Sequence, residues 1–513
     1  MLRYRNVIFI FLGLTMIFTA SADPVASGTV FEDRNRNGTR DAREEGIKDA
    51  CVSNGRDVVR TDVDGRWALP ASDDTVFFVI KPAHWTVPVN ENQIPQFHYI
   101  HKPNGSPTLE APGVPPTGPL PDSIDFPLYR QEEPARFQTI FFGDTQARGL
   151  REVNFIAHDV VEELIGSNAA FGVSLGDIVA DDVRLFEPIN QSIAQIGVPW
   201  YNTFGNHDNN RDGGSDTHSD ETFERVYGPG TYAFEYGQVV FIGLDDIFFR
   251  PDGSYIGRFT DDQLAFVSDY LATVPRDRLV VLMMHIPIVQ CENREDMLRV
   301  IEDRPHTFSI SAHAHEQSHI FLTKKEGWGG RQPHHHLVNA TVCGCWWCGT
   351  FDEVGIPHAT MNDGAPNGYS IITFDGNRYT IRFKAARRPN DYQMNIYLPD
   401  EIDRDKPGET EILVNVFAGS ERSKVEMSCG KEGDWIPLEQ TRTIDPECLR
   451  MHLQTPQLNE EVFGWKMDYP SQTSHMWKGV LPATLSAGTH TITVRTTDMF
   501  GRTWAAHRIV RLR

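Results

Sequence analysis

Five apolar runs in the middle of the chain each stop at a side chain that can bind a metal ion. Each run has the length and residue content of a buried strand. In open α/β sheets, ligands collect outside the carboxyl ends of the strands. If the five strands are neighbours, their terminal side chains meet at one edge. The runs are "TIFFGDTQ" with Asp144 and Gln146, "FGVSLGDIVADD" with Asp177, "VPWYNTFGNHD" with Asn206 and His207, "RLVVLMMHIP" with His285, and "TFSISAHAHEQ" with His313 and His315.

Each strand end has an ordinary explanation when it is taken alone. A Gly-Asp pair after a strand is often a turn, and a single histidine is more often a satisfied core residue than a ligand. Five independent turns would rarely all present Asp, Asn or His at the same end of a strand. The joint pattern therefore predicts a metal site.

The pattern of hydrophobic residues divides the chain of 513 residues into three regions after its first 22 residues. Residues 135–385 alternate strands with amphipathic helices, such as "EVNFIAHDVVEELI" and "DDQLAFVSDYLATV", which indicates a layered α/β domain. Residues 23–130 read as short strands and turns and end in the Pro-rich linker "APGVPPTGPLPDS". Residues 390–513 return to the alternation of apolar and polar residues that is typical of strands, and no helix of useful length is predicted near the end. This pattern favours a small antiparallel β-sandwich.

The ordered set "GD-T-Q … GDIVADD … GNHD … H … HAH" closely resembles the calcineurin-like metallophosphoesterase superfamily. The layout of the whole chain is similar to an exported bacterial branch with added N- and C-terminal β-domains. The resemblance implies an α/β fold with a central double β-sheet sandwich flanked by helices, between two β-sandwich domains. It also implies two divalent metal ions, bridged by one carboxylate and a solvent hydroxide that attacks the phosphoester.

The resemblance assigns a role to each residue at the strand ends. Asp177 corresponds to the bridging carboxylate. His207 corresponds to the catalytic histidine, and either Asp181 or Asp182 is expected to orient it. The remaining ligands are Asp144, Gln146 and His315 for the first ion, and Asn206, His285 and His313 for the second.

Gln146 departs from the commonest family pattern, which has histidine at this position. An amide oxygen is a harder and weaker donor than an imidazole nitrogen. The substitution therefore favours Mn²⁺, with Fe²⁺ and Mg²⁺ next, over Zn²⁺ at the first position. Because an amide carbonyl still coordinates, the departure does not indicate an inactive site.

A second metal site is predicted near the N-terminus, in "DRNRNGTRDARE". Oxygen-bearing side chains occupy the offsets of a calcium loop, and Gly38 stands where that loop turns sharply. The flanking segments look like strands, as in calcium-stapled β-sandwich modules, so the ion would be structural. An Asx-rich surface turn without an ion is the alternative. The predicted Ca²⁺ ligands are Asp33, Asn35, Asn37, Thr39, Asp41 and Glu44.

The segment after His315 has little regular periodicity and reads as loops beside the site. Trp346 and Trp347 could form a stacking wall for a sugar or base, or they could cover the edge of a core. Asp352, Asp363 and Asn367 could bind hydroxyl groups of the substrate.

The first 22 residues predict export. Arg3 and Arg5 precede an apolar run that is too short for a membrane span, and small residues follow at a cleavage site after Ala22. The mature protein is therefore expected to be periplasmic or secreted, with no transmembrane segment. In such a compartment its seven cysteines can form disulfides, and Cys429 with Cys448 could clasp a hairpin.

The formal net charge of −22 argues against nucleic acid as the main partner, since binding to a phosphate backbone needs a basic face. The sequence thus predicts an exported, metal-dependent phosphoester hydrolase for a small phosphodiester or nucleotide-type substrate. The alternative is an envelope binding or adhesion protein whose metal centre is vestigial.

Overall fold

The computed structural model describes residues 24–430, 434–454 and 467–513. The predicted signal peptide, residues 1–22, lies outside these ranges. Three pairs of β-sheets follow one another along the chain. None of the helices in the described ranges combines the length and the apolar character that a bilayer-spanning helix requires.

The N-terminal pair of sheets is a β-sandwich of eight short strands. One sheet has the order β4-β1-β8-β6 and the other β3-β2-β5-β7. Trp67 and Phe126 stack between the sheets with ring centroids 5.8 Å apart. The strands are β1 (Val25–Glu32), β2 (Cys51–Ser53), β3 (Val58–Arg60), β4 (Arg66–Pro70), β5 (Thr75–Ile80), β6 (Trp85–Thr86), β7 (His98–His101) and β8 (Phe126–Arg130).

The Pro-rich stretch predicted as a linker lies within this domain. Strand β8 follows it and pairs in parallel with β1. Ala111 and Val114 are buried, and the carbonyl of Pro112 accepts a hydrogen bond from Thr222 in the central region. Proline removes backbone donors but does not prevent such side-chain contacts. The stretch therefore joins the two regions by packing against both.

The central region contains two large sheets and a hairpin. The sheets have the orders β11-β10-β9-β20-β21 and β12-β13-β16-β17-β19-β18, and β14 pairs with β15. The strands are β9 (Arg136–Phe142), β10 (Phe171–Leu175), β11 (Trp200–Thr203), β12 (Tyr232–Tyr236), β13 (Val239–Gly243), β14 (Ile247–Phe249), β15 (Tyr255–Gly257), β16 (Leu279–Met283), β17 (Thr307–Ser311), β18 (Ser318–Leu322), β19 (His334–Val338), β20 (Gly368–Asp375) and β21 (Arg378–Ala385).

Aromatic rings fill the space between the two central sheets. Phe171 of one sheet meets Phe241 of the other edge-to-face, with ring centroids 5.0 Å apart. Strands β9, β10 and β11 are parallel to one another, as are β13, β16, β17 and β19. Because the side chains of both sheets interlock, the carboxyl ends of these strands are held along one edge of the sandwich.

Helices cover the outer faces of the central sheets. They are α1 (Leu150–Ile156), α2 (Phe186–Ile193), α3 (Glu221–Tyr227), α4 (Asp261–Thr273) and α5 (Arg294–Ile301). The predicted helix at "DDQLAFVSDYLATV" is α4, which begins with a capping box between Thr260 and Gln263. The predicted helix at "EVNFIAHDVVEELI" begins as α1 and continues as a π-helical turn over Ala157–Val161.

The C-terminal region is a third sheet pair, with the orders β22-β24-β28-β27 and β23-β30-β29-β25-β26. It also contains α6 (Pro446–Gln454), a helix that was not predicted and that starts with proline at its first turn. The strands are β22 (Met394–Tyr397), β23 (Glu401–Ile402), β24 (Glu411–Val416), β25 (Lys424–Cys429), β26 (Ile436–Pro437), β27 (Glu439–Thr443), β28 (Thr473–Val480), β29 (Gly488–Thr497) and β30 (Thr503–Leu512).

The N-terminal and central sheets share one continuous hydrophobic core, whereas the C-terminal sheets have a core of their own. Phe78 of β5 meets Phe266 of α4 edge-to-face, with ring centroids 5.6 Å apart. Beside them, the buried ammonium of Lys81 donates to the Glu133 carboxylate at 2.8 Å and to the carbonyl of Glu235 at 2.6 Å. Lys81 thus satisfies polar groups on both sides of the junction.

Replacing Lys81 should destabilise this junction. In Lys81→Met the Glu133 carboxylate stays buried without its counter-ion, which costs about 3–5 kcal/mol of unfolding free energy. Denaturation in guanidinium, followed by tryptophan fluorescence, measures the loss. Lys48→Met is the control, because Lys48 pairs with Asp49 at the surface and should cost less than about 1 kcal/mol. Equal midpoints for the two variants would contradict the role of Lys81.

Candidate metal centre

All eight predicted residues at the strand ends lie on one edge of the central sandwich. Asp144 and Gln146 follow β9, Asp177 follows β10, and Asn206 and His207 follow β11. From the second sheet, His285 follows β16, and His313 and His315 follow β17. Six of the eight are buried; His207 and His313 are partly exposed.

The backbone at these strand ends adopts the left-handed region, which side chains other than glycine rarely occupy. The φ angles are 24° at Asp144, 37° at Gln146, 49° at Asp177, 68° at His313 and 51° at His315. Such conformations cost free energy and persist only where the surrounding structure fixes them. Their concentration at one edge marks this edge as a functional site.

Three side chains form the tightest group of metal-binding atoms in the described ranges. Ligand atoms of Asp177, His285 and His313 all lie within 4.8 Å of one another. His285 Nε2 is 3.2 Å from Asp177 Oδ2 and 3.1 Å from His313 Nδ1. Asn206 adds its amide oxygen, 3.1 Å from His285 Nε2. These four residues are the ones predicted to hold the second ion.

The residues predicted for the first ion form a second group next to Asp177. His315 Nε2 is 3.5 Å from Asp144 Oδ2, an atom that is buried and accepts no hydrogen bond from any described residue. Gln146 Nε2 donates to Asp177 Oδ2 at 2.8 Å. Rotating this amide by 180° would present its oxygen, the atom that coordinates metals, at the same place. An unpartnered carboxylate oxygen in a buried polar cluster is a suitable ligand for a cation.

Backbone carbonyls fix the orientation of two of the histidines. Nδ1–H of His285 donates to the carbonyl of Leu175 at 2.7 Å, and Nδ1–H of His315 donates to the carbonyl of Gly344 at 2.6 Å. Each contact leaves Nε2 unprotonated in the neutral ring and directed toward the carboxylates. This arrangement is typical of histidines that bind metals.

The electrostatics of the cluster favour positive charge. Burial lowers the pKa of His285, but the nearby carboxylates of Asp177 and Asp144 outweigh it and raise that pKa to about 10. Burial raises the pKa of Asp177, and the surrounding histidines hold it below its ordinary value. The two buried carboxylates thus favour a protonated histidine beside them. A divalent cation would compensate their negative charge better.

His207 lies beside the cluster and has a carboxylate partner of its own. Its Nδ1 is 2.6 Å from Asp181 Oδ1, whereas Asp182 binds Arg184 instead, at 2.7 Å. The structure therefore resolves the alternative left open by the sequence: Asp181 is the residue that contacts His207. Burial lowers the pKa of His207, but the hydrogen bond that the ring donates to Asp181 and the charge of Asp177 raise it overall.

Of the residues predicted to bind substrate, Trp346 is the one placed against the strand-end cluster. Its ring stacks on His315, with centroids 5.2 Å apart at 17°, and meets His207 edge-to-face at 5.1 Å. Trp347 is fully buried and donates from Nε1 to the carbonyl of Thr145 at 2.9 Å.

The other three have structural partners as well. Asp352 pairs with Arg387. Asp363 is fully buried and accepts from the backbone of Gln317 at 2.7 Å. Asn367 is buried and donates to Asp159 at 2.6 Å. The position of a residue in this loop did not show whether its side chain faces the cleft or stabilises the loop through contacts of its own.

A cleft of about 630 Å³ opens beside His207 and Asn206. Its walls carry Arg211, which pairs with Asp181, and the partly exposed ring of Tyr255, whose centroid lies 6.1 Å from that of His313. Phe249 lines the same cleft. The space is large enough for a small organic phosphoester and offers both aromatic and cationic contacts.

Two buried aspartates that support the site were not among the predicted residues. Asp246 accepts from the backbone amides of His285 and Ile286 at 3.1 and 3.2 Å, and burial raises its pKa to about 6. Asp208 accepts from the amides of Val179 and Gly205 at 3.1 and 3.0 Å. Asp246 follows strand β13, so the rule that identified the other strand ends could have found it.

In the N-terminal loop, the carboxylates predicted to bind Ca²⁺ are occupied by backbone amides. Asp33 accepts from Arg36 at 2.6 Å and from Gly38 at 2.8 Å, and Glu44 accepts from Arg34 at 2.8 Å. The amides of Asn35 and Asn37 donate to Asp41. Within the described residues, this loop has no set of three His, Cys, Asp or Glu ligand atoms as close together as those of Asp177, His285 and His313.

All seven cysteines lie in the described ranges, and each is a free thiol there. Cys448 is buried on α6 and donates to the carbonyl of Met361 at 3.5 Å, in a small cluster with Cys345 and Cys348. Cys429 is half-buried at the end of β25. The structure therefore does not contain the clasp between Cys429 and Cys448.

Gly205 makes the close approach of β10 and β11 possible. A Cβ atom at this position would lie 2.0 Å from the backbone nitrogen of Asp177 and 2.4 Å from its Oδ1. Gly205→Ala should therefore displace Asp177 and lower the affinity for Mn²⁺ at least about tenfold, as measured by isothermal titration calorimetry. Gly149→Ala is the control, because Gly149 has open space for a Cβ. Unchanged Mn²⁺ affinity in Gly205→Ala would contradict this packing.

Comparisons with known proteins agree with this site. Three family models match: the N terminal of calcineurin-like phosphoesterase over residues 34–110, calcineurin-like phosphoesterase over 137–317, and the C terminal of calcineurin-like phosphoesterase over 336–504. No curated protein sequence matches the chain.

Two solved structures are similar at low sequence identity. Purple acid phosphatase PPD1 from seeds of yellow lupin (Lupinus luteus) is 12% identical, with 70% of this chain and 66% of that chain covered, just under two thirds, and a TM-score of 0.35. PhoD is 11% identical, with 77% of this chain and 90% of that chain covered, and a TM-score of 0.36.

The three family models follow one another along the chain in the order N-terminal, catalytic and C-terminal. They confirm the predicted fold class, a metallophosphoesterase fold with an extra domain at each end. The family is one of metal-dependent phosphoesterases with a dinuclear metal centre. The chain belongs to the calcineurin-like phosphoesterases.

Proposed function

We propose that this protein is an exported hydrolase of small phosphodiesters or nucleotide-type phosphoesters, with two divalent ions held at the strand ends. The observation that carries the proposal is the His207–Asp181 pair beside the cluster of Asp177, His285 and His313. A site that only bound metal would need the cluster. A hydrolase also needs a proton donor next to it, and His207 is placed to be that donor.

The chain's own residues supply the ligands for this chemistry. The carboxylate of Asp177 contacts a residue of each group, Gln146 and His285, so it is the one we assign to both ions. Asp144, Gln146 and His315 complete the first group, and Asn206, His285 and His313 complete the second. When bound, two such ions neutralise the phosphate oxygens and lower the pKa of a water molecule.

His207 has the geometry of a general acid. Asp181 holds its Nδ1–H, and Asp177 accepts from its backbone amide at 2.8 Å. These two contacts direct Nε2 of the protonated ring away from Asp181, so that it can donate a proton to the departing oxygen. Trp346 covers one edge of the same ring and limits the access of water.

The walls of the cleft support a small organic substrate. Trp346, Tyr255 and Phe249 offer ring faces and edges for a base or a sugar, and Arg211 offers a cation for a further anionic group. The ligand set, rich in oxygen donors through Gln146 and Asn206, favours Mn²⁺. Export and a structural Ca²⁺ at Asp33–Glu44 remain part of the proposal and rest on the sequence pattern.

The proposal is tested by hydrolysis of bis(p-nitrophenyl) phosphate. Protein stripped of metal and titrated with Mn²⁺ should regain turnover as the ion binds.

His207→Ala should lower kcat by about 10²–10⁴-fold while it retains Mn²⁺, because the ring is a proton donor and not a ligand. Metal content by mass spectrometry and circular dichroism verify that the site and fold persist. A folded, Mn²⁺-loaded protein without activity toward mono- and diesters would support the binding-protein alternative.

The pH dependence of kcat should distinguish the role of Asp181 from that of the neighbouring Asp182. The protonated form of His207 is the active one, so activity falls as pH rises through the pKa of His207. Asp181 raises that pKa. Asp181→Asn should therefore move the alkaline limb of the kcat profile to lower pH, because the ring loses its proton more easily.

Asp182→Asn is the matched control, since Asp182 binds Arg184 and does not contact His207. Its profile should superimpose on that of the unaltered protein. An alkaline limb that moves in Asp182→Asn, or that stays fixed in Asp181→Asn, would contradict the assignment.

A further inference from the structure

The residues Cys345–Cys348 form a tight turn at the edge of the metal centre. The backbone amide of Cys348 donates to the carbonyl of Cys345 at 2.9 Å. The two central residues, Trp346 and Trp347, have φ angles of 55° and 54°. Turns of this kind normally carry glycine or asparagine at these positions. Two consecutive tryptophans in the left-handed region require that something else hold the turn closed.

The conformation of this turn sets the position of Trp346. The indole of Trp347 is anchored in the core by its hydrogen bond to Thr145 and by packing on Phe155. Trp346 is directed the opposite way, onto His315 and His207. If the turn relaxed to an ordinary right-handed conformation, Trp346 could not keep both contacts while Trp347 stayed anchored.

The two ends of the turn carry a pair of buried thiols. Cys345 and Cys348 lie in the same small cluster of buried side chains, and the Cys348 thiol donates to the carbonyl of Trp346 within the turn at 3.6 Å. The neighbouring thiols are engaged elsewhere. Cys448 donates to the carbonyl of Met361, and Cys343 faces Gln146 Oε1 at 3.4 Å. Within this part of the molecule, the natural partner of Cys348 is therefore Cys345.

We propose that Cys345 and Cys348 are a thiol–disulfide exchange site, and that their disulfide holds the two-tryptophan turn in place beside the metal centre. The covalent step does not depend on the proposed function; only its effect on hydrolysis does. The bond spans two intervening residues, and the hydrogen-bonded turn already holds the two ends of that loop together.

The exchange consumes one external disulfide, RSSR. The thiolate of Cys348 attacks one sulfur of RSSR and expels RS⁻, which gives a mixed disulfide. The thiolate of Cys345 then attacks the Cys348 sulfur, forms the Cys345–Cys348 bond and expels the second RS⁻. Each cysteine gives up one proton, so the products are the protein disulfide and two RSH.

The surroundings of the two thiols are consistent with this order of attack. The hydrogen bond from Cys345 and the charge of Arg148 lower the pKa of Cys348, while the same hydrogen bond raises the pKa of Cys345. The thiol with the lower pKa reacts first. Because both thiols are buried in the folded protein, exchange is expected late in folding, after the turn has formed but before the loop closes over it.

The experiment refolds the full chain from denaturant in buffers that contain reduced and oxidised glutathione in varied ratio. After an acid quench, free thiols are alkylated and peptides are mapped by mass spectrometry. The expected result is a peptide that contains residues 345–348 unalkylated and about 2 Da lighter, as loss of two hydrogens requires. Alkylation of both cysteines at every ratio, or a cross-link from either one to Cys343 or Cys448, would overturn the proposal.

A second readout tests the effect on Trp346. Reduction of the protein in denaturant with a phosphine, which unlike a dithiol does not chelate through sulfur, followed by refolding and loading with Mn²⁺, should lower kcat/KM by about tenfold as Trp346 is displaced. Cys345→Ser/Cys348→Ser should show the lower value and no response to the phosphine. Cys429→Ser is the control and should respond as the unaltered protein does. A disulfide that forms but leaves kcat/KM unchanged on reduction would overturn the positioning role.

Discussion

The structure depends on the burial of two carboxylates, those of Asp144 and Asp177, at one edge of two packed sheets. An isolated buried carboxylate is unstable, so the surrounding elements must deliver either positive charge or hydrogen-bond donors to it. Here they deliver both. Histidines arrive from the second sheet, and the amides of His207 and His313 donate to the two carboxylates. The strained backbone of the strand ends is the cost of this convergence, because each strand must turn sharply to aim its side chain inward.

The same constraint explains the layers outside the site. Asp208 and Asp246 accept from the backbone amides of the loops that carry Asp177, Gly205 and His285, and so fix the shape of those loops. Carbonyls of Leu175 and Gly344 fix two imidazole rings. The metal centre is therefore the innermost of several shells of hydrogen bonds, most of which join backbone to side chain rather than side chain to side chain.

Much of the site could be predicted because residue type and position after a strand are visible in a sequence. Asp144, Asp177 and His285 follow apolar runs whose burial is certain from composition. The partner of His207 could not be predicted, because Asp181 and Asp182 are adjacent and the backbone conformation between them, with a φ of 78° at Asp181, is not visible in the sequence. Trp346 and Trp347 posed the same problem. An irregular loop has no periodicity that would show which of two neighbouring side chains faces the core. Tertiary packing alone therefore decides that one indole is buried in the core and the other contacts the metal centre.

The shared core of the first two sheet pairs has a consequence for how the molecule comes apart. Phe78, Lys81 and the Pro-rich stretch bind the N-terminal strands to the central sheets, whereas the C-terminal strands surround a separate core. Three regions that differ in composition are therefore packed around two main hydrophobic cores. The scaffold of the metal centre extends back to the first described strand.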